Sequence, residues 1–175
     1  MSVSGAFKMP RLTQEIYDKN AVELAPYLLG QYLCRRTEQG ILRYRITETE
    51  AYYTEKDTAC HAHRGRTPRT ELLYHRGGCS YVYLCYGIHS LMNVICGEEG
   101  VPQGVLIRGV EGFSGPGRVT KALHIDRSLN GADLIFGDQL WLEAGEQADY
   151  VTAPRVGIDY ATEEYRNIPW RFIAR

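Results

Sequence analysis

Two carboxylates, Glu48 and Glu50, fall in a stretch that alternates like a β-strand, where acids are costly unless something neutralises or uses them. From Ile41 to Tyr52, the apolar Leu42, Tyr44 and Ile46 share one parity, and Arg43, Arg45 and Thr47 the other. Continuing the apolar parity brings Glu48, Glu50 and Tyr52 to the side the strand buries. A carboxylate so placed must be paired, hydrogen-bonded or protonated, and such a group is also a candidate general base. The alternation leaves a second reading open, in which the strand ends near Thr47 or arginines neutralise both acids.

Tyrosine is the other enriched chemistry, with thirteen in 175 residues, and Tyr81, Tyr83 and Tyr86 cluster in one short run. Aromatics interleaved with arginine suit stacking on exposed bases. A strand tyrosine taken singly is more simply a packing residue with its hydroxyl at the surface. Tyr86 differs, because it precedes Gly87 at an expected hairpin tip. A large ring held at a tip is lost to the core and suits a wedge between base steps.

Cys60, His61, His63, His75 and Cys79 raise the question of a metal. The spacing Cys60-His61-x-His63 is too tight for a helical ligand pair, and neither HExxH nor CxxC accompanies it, so no metal is expected. The five cysteines (34, 60, 79, 85 and 96) are odd in number and unpaired in pattern, which fits reduced thiols in a cytoplasm better than a disulfide framework. There is no P-loop, GxGxxG or GxSxG motif, and the glycine-rich Gly112–Gly117 lacks the lysine that would make it a phosphate loop.

The elements that must hold these residues are short. Asn20 is an N-cap, and Leu24, Leu28 and Leu29 have helical spacing, with Pro26 tolerable only if that helix begins close to it. Strands are predicted at Gln31–Arg35, Ile41–Tyr52, Ser80–Cys85, His89–Cys96, within Val101–Val110, at Leu140–Glu143 and at Val156–Ile158. Asp57–Gly78 reads as a long surface loop or short helix, Phe113–Gly117 as a loop, and Arg118–His124 as a helix. The expected fold class is mixed α/β (α+β): a single domain, 1–175, built on a curved, mainly antiparallel β-sheet with flanking helices. Residues 1–15 are expected to form a mobile tail, with Met1–Pro10 no secretory signal, and no stretch is apolar enough to span a membrane.

The formal net charge is −1, which argues against a general nucleic-acid binder. Its distribution is uneven. Arg35–Arg76 holds nine Lys or Arg against six Asp or Glu, while 128–164 holds eight acids against Arg155 alone. A polarised chain can present one attractive face despite a neutral total, although solvated surface charge explains the count equally well.

Taken in order, Glu48-Thr49-Glu50-Ala51-Tyr52, Asp57, His61, Gly65-Arg66-Thr67-Pro68-Arg69-Thr70, Tyr81-Val82-Tyr83-x-x-Tyr86-Gly87, Asn93, Val105-Leu106-Ile107-Arg108, Gly115-Pro116-Gly117 and Arg155-Val156-Gly157 resemble the alkyladenine (methylpurine) DNA glycosylase family. The match runs from about residue 20 to 173; each piece is weak, and the ordered set is highly specific. The resemblance implies a monofunctional glycosylase of base excision repair. It would flip alkylated or deaminated purines from duplex DNA and hydrolyse the N-glycosyl bond without a lyase step.

In that family pattern Glu50 corresponds to the base that activates water, and Arg108 to the arginine that helps hold it. Tyr52 and Tyr83 correspond to the rings that sandwich the flipped base, and His61 to the histidine that hydrogen-bonds it. Asn93 corresponds to the residue that crowds the amine of guanine, and Tyr86 to the intercalating wedge. The resemblance implies no cofactor, a monomer, and double-stranded DNA carrying damaged purines as partner. Thr54, Ile88 and Cys60 depart from the commoner Gly, Met and Ser or Ala of the family, and the basic tail of some members is absent. Two rivals are a catalytically silent binder of damaged DNA and a metal hydrolase using Cys60, His61 and His63.

Overall fold

A computed structural model describes residues 9–175. The fold is organised around one long strand. β1 (Tyr32–Thr37) turns through Gly40 into β2 (Gly40–Tyr53), 14 residues long. One edge of β2 carries β1 on its first half and then β9 (Arg171–Ala174) at Glu48–Glu50, while the other edge pairs with β5 (Gln103–Val110). The sheet continues outward through β4 (His89–Ile95) to β3 (Ser80–Cys85), and on the far side from β1 to β7 (Leu140–Glu143). β6 (Phe113–Ser114) extends β5, and β8 (Tyr150–Ala153) pairs with β9. All these pairings are antiparallel, so the curled sheet and its flanking helices form the mixed α/β architecture expected from the sequence.

The helices are short: α1 (Gln14–Tyr17), α2 (Ala21–Tyr27), α3 (Pro116–Ala122) and α4 (Glu163–Asn167). The Asn20 side chain accepts from the Glu23 N–H and caps α2 as expected. Pro26 lies in the last turn of α2 and not near its start, a place where its missing N–H removes a single ladder bond. Leu24, Leu28 and Leu29 bury completely against Ile46, Ala51, Val105 and Ile107 from the sheet, and α3 adds Val119 and Leu123. Burial of such side chains is the main stabilising term, at about 1.5–3 kcal/mol each.

Several expectations need correction. Of the expected tail 1–15, residues 1–8 lie outside the described residues. From Pro10 onward the chain is packed: Leu12 is buried and its N–H donates to the Leu142 carbonyl, while Ala144 donates to that of Pro10. Asp57–Gly78 is helical in short pieces, as one of its two readings had it, but it is not wholly at the surface. It folds into two single-turn 3-10 helices, His61–Arg64 and Glu71–Tyr74, whose Ala62, Leu73 and Tyr74 form a second buried cluster with Tyr81 and Ile95. Ala59, Cys60, Ala62, Leu73 and Tyr74 face inward, a pattern too sparse for periodicity to show. Phe113–Ser114 is strand, and Pro116 opens α3. Val156–Ile158 is not strand; β8 and β9 flank that segment instead.

Candidate active site

The site exists because β2 and β5 lose step with each other. Ile46 pairs with Val110 and Glu48 with Gly109, leaving Thr47 extra on β2; Thr49 then pairs with Ile107, leaving Arg108 extra on β5. Each bulge re-aims the side chains beyond it. Ile46 and Ala51 both reach the main core although their numbers differ in parity, and the Thr49 hydroxyl donates to the Ala25 carbonyl on α2. Glu50 and Tyr52 therefore point away from the main core, contrary to the simple alternation. Tyr52 lines a groove with Leu106, Arg108 and Val156, and Glu50 lies against that lining through the Tyr52 hydroxyl and the Val156 N–H.

Glu50 is 0 % exposed. Its Oε1 accepts from the Val156 N–H at 2.8 Å, and its Oε2 from the Tyr52 hydroxyl at 2.8 Å. Arg108 Nε lies 3.5 Å from Glu50 Oε1 and hydrogen-bonds Glu48 Oε1 at 3.2 Å, so Arg108 sits between both acids. Arg171 of β9 holds the same Glu48 oxygen at 3.0 Å. Glu48 is thus neutralised by two arginines, as one reading of the sequence allowed, whereas Glu50 has no close hydrogen-bonded cation. Burial pushes the Glu50 carboxyl above its ordinary value against the opposing pull of Arg108 and the Val156 N–H. Burial likewise raises the Tyr52 phenol well above its ordinary value, so it remains a donor.

Behind Tyr52 lies a fully buried ion pair. Arg155 donates to both oxygens of Asp57, at 2.6 and 2.9 Å, and to the Ala51 carbonyl at 3.0 Å. Its guanidinium stacks 4.7 Å from the Tyr52 ring centroid and 5.2 Å from that of Trp170. Asp57 in turn accepts from the N–H groups of Tyr53 and Ala59. One pair therefore fixes a ring, a strand end and the start of the 57–78 layer. Removing one partner of such a pair costs about 3–5 kcal/mol, because the other charge stays buried alone.

Beyond the Tyr52 ring that Glu50 holds, the walls are aromatic. Tyr52, His61, Tyr83, Asn93 and Tyr160 line a narrow cavity of about 40 Å³, which opens into a groove of about 830 Å³ through Tyr52, His61, Tyr83 and Tyr160. The His61 and Tyr83 rings meet edge-to-face at 4.6 Å, and His61 Nδ1 lies 3.0 Å from the Tyr81 hydroxyl. Burial, with Arg69 and Arg64 nearby, lowers His61 to about 4, so its imidazole is neutral at neutral pH. Asn93 is buried and its amide donates to the Tyr81 carbonyl at 3.2 Å.

Tyr86 stands apart from the cavity, on the groove's rim, and is 91 % exposed. Tyr86 and Gly87 both have positive φ, 52° and 67°, and the Ile88 N–H donates back to the Cys85 carbonyl. That is the two-residue turn whose twist matches a hairpin, with tyrosine where asparagine or glycine is usual. The groove floor and rim also carry Arg69, Arg108, Arg118, Lys121 and His89, and no acid lines it.

The seven sequence-derived residues thus divide. Tyr52, His61, Tyr83 and Asn93 line one cavity, Arg108 lines the adjoining groove, and Tyr86 stands on that groove's rim; Glu50 lines neither space and reaches them through the Tyr52 hydroxyl, the Val156 N–H and Arg108 at 3.5 Å. Tyr81, Tyr160 and the Asp57–Arg155 pair were missed as contributors. Tyr81 shares strand parity with Tyr83, a signal present in the sequence, whereas Tyr160 sits on a loop with no periodicity to betray it. Cys60 and His63 border one space with His61, where Cys60 is buried and His63 Nδ1 lies 2.8 Å from the Glu55 carbonyl.

The aromatic cavity offers stacking surfaces to a flat ring, and the groove's charged side chains, all basic, offer partners to an anion. A family model of methylpurine-DNA glycosylase matches residues 15–114 and 111–175. A relative from Methanocella arvoryzae, named "Putative 3-methyladenine DNA glycosylase", is 39% identical, covering 94% of this chain and 92% of its own. Relatives of the same name from Desulfitobacterium hafniense and Psychrobacter cryohalolentis are 41% and 44% identical, covering 94% and 79% of this chain and 95% and 80% of their own. The chain belongs to the methylpurine-DNA glycosylase family.

Proposed function

We propose that the protein is a monofunctional DNA glycosylase that flips 3-methyladenine and related alkylated or deaminated purines out of duplex DNA and hydrolyses their N-glycosyl bond. The observation that carries this reading is Glu50, fully buried yet one hydrogen bond from the Tyr52 ring that lines the aromatic cavity, with Arg108 3.5 Å away. The flipped base stacks between Tyr52 and Tyr83, with neutral His61 offering a hydrogen bond to its edge. Asn93 presses on the position that the exocyclic amine of guanine would take. Tyr86 fills the gap left in the stack and offsets part of the few kcal/mol that flipping costs.

As the bond to the sugar breaks, positive charge grows on the anomeric carbon. Ionised Glu50 stabilises that charge and takes the proton of the attacking water. Its carboxylate oxygens offer about four acceptor sites, so the Val156 and Tyr52 bonds leave room for that water. Arg108, steadied by Glu48, helps position it. The raised pKa of the carboxyl brings its basicity closer to neutral pH, where a general base works best.

The deciding assay is base release from a duplex carrying one hypoxanthine, in chelator, by wild type and Glu50→Gln. The wild type should cut, and the variant should lose about 100-fold or more, within the range general-base catalysis supplies. Equal rates would remove Glu50 from the chemistry. No release from hypoxanthine, methylated or etheno duplexes would favour the silent binder of damaged DNA.

A further inference from the structure

Beside the aromatic cavity lies a second chamber of about 570 Å³, bounded by the His61–Arg64 turn, the Thr67–Thr70 segment and Thr162. It shares Ala59, Cys60, His61 and Tyr160 with the cavity, and Tyr160 also borders the groove. Two rings, His61 and Tyr160, thus stand where the three spaces meet, and Tyr160 is the exposed one. The Tyr160 hydroxyl donates to the Ala59 carbonyl at 2.9 Å, yet the residue is 67 % exposed, so swinging it aside sacrifices one hydrogen bond and little packing. The seam is completed by the Thr162 N–H donating to the Thr58 hydroxyl at 2.9 Å.

We propose that this chamber is the exit for the released purine and that Tyr160 is its gate, so that the base leaves while the abasic duplex is still bound. The inference rests on the glycosylase reading of Glu50 and the aromatic cavity. With DNA in the groove, the sugar of the flipped nucleotide blocks the side of the cavity that faces the groove. The cut base is then confined behind that sugar in a space of about 40 Å³. A side passage frees it without waiting for the DNA. The charged groups lining the chamber, Arg64 and Arg69, are cationic, and threonine hydroxyls supply further donors and acceptors. That lining fits a neutral purine such as hypoxanthine better than a cationic one.

The test uses a duplex in excess over the whole protein, tethered to beads by one end and carrying one labelled hypoxanthine, so that the protein starts on the beads. Acid-quenched aliquots report bond cleavage, label in the supernatant reports base release, and protein in the supernatant reports dissociation from DNA. Wild type should release label while still on the beads. Tyr160→Ala should shorten the lag between cleavage and label release about fivefold, the worth of one hydrogen bond. Thr162→Trp, which fills the chamber, should lengthen that lag without changing dissociation. Label and protein leaving together in the wild type, or a lag that neither variant alters, would overturn the gate. Absence of cleavage in the quenched aliquots would instead overturn the glycosylase reading beneath it.

Discussion

Glu50 is held between opposing influences, and the balance has a sign that can be measured. Burial raises its carboxyl, so the folded protein binds that proton more tightly than the unfolded chain does. Its burial therefore costs nothing below the ordinary carboxylate range, and costs progressively more as pH rises through the raised folded value. Glu50→Gln, which can still accept from the Val156 N–H, should raise stability at pH 7 by about 1 kcal/mol. That is ~2–4 °C in melting temperature for a chain of this size. The gain should vanish near pH ~4, around the unperturbed glutamate value. Melts at both pH values check this, and a gain that persists in acid would show that the carboxyl is not the source. Activity should fall on the acid side as Glu50 protonates. His61, lowered to about 4, is still neutral there and should not set that limb.

At the scale of elements, the β3–β4 hairpin stores strain at its tip. A tyrosine in the left-handed region costs about 1–2 kcal/mol relative to its usual conformation, and asparagine adopts that region more readily. Tyr86→Asn should therefore stabilise the protein by about 1 kcal/mol. It should also weaken binding to a lesion duplex about tenfold or more, the equivalent of ~1–3 kcal/mol of stacking. Denaturant melts and a binding titration read the two effects, and unchanged affinity would remove Tyr86 from the interface. Thr54 shows the same tension: its φ is 66°, which is why glycine is common there in the family and why the departure matters. Most strands were legible because Ser80–Cys85, Ile41–Tyr52 and Leu140–Glu143 carry period-two patterns or dense β-branched and aromatic residues. The turn at Tyr86-Gly87 was legible from its glycine. The bulges at Thr47 and Arg108 were not, since register depends on the partner strand. Nor was Val156, whose contribution to Glu50 is a backbone N–H that any residue type except proline supplies.

Across the whole molecule, charge is used in two ways that composition blurs together. Much of the basic run 35–76 is consumed within the fold. Arg43 pairs with Glu143, Arg66 with Glu71 and Arg76 with Asp18, while Arg35, Arg36 and Arg45 donate to carbonyls between His124 and Glu146. The groove draws instead on Arg69, Arg118 and Lys121, which are exposed on it. If each meets one phosphate, log affinity against log salt should have a slope of roughly −3, and Lys121→Ala should reduce it by about 1. A flat profile in a binding titration would argue against duplex DNA in this groove. The paired bulges carry a different consequence, one of chain length. Substitutions near Ile46–Glu50 alter chemistry one position at a time, but deleting Thr47 would rotate every later β2 side chain to the opposite face. Ala51 would then meet the cavity and Glu50 the leucines of α2. Residue count between Ile46 and Glu50 is therefore as much a part of this site as residue identity.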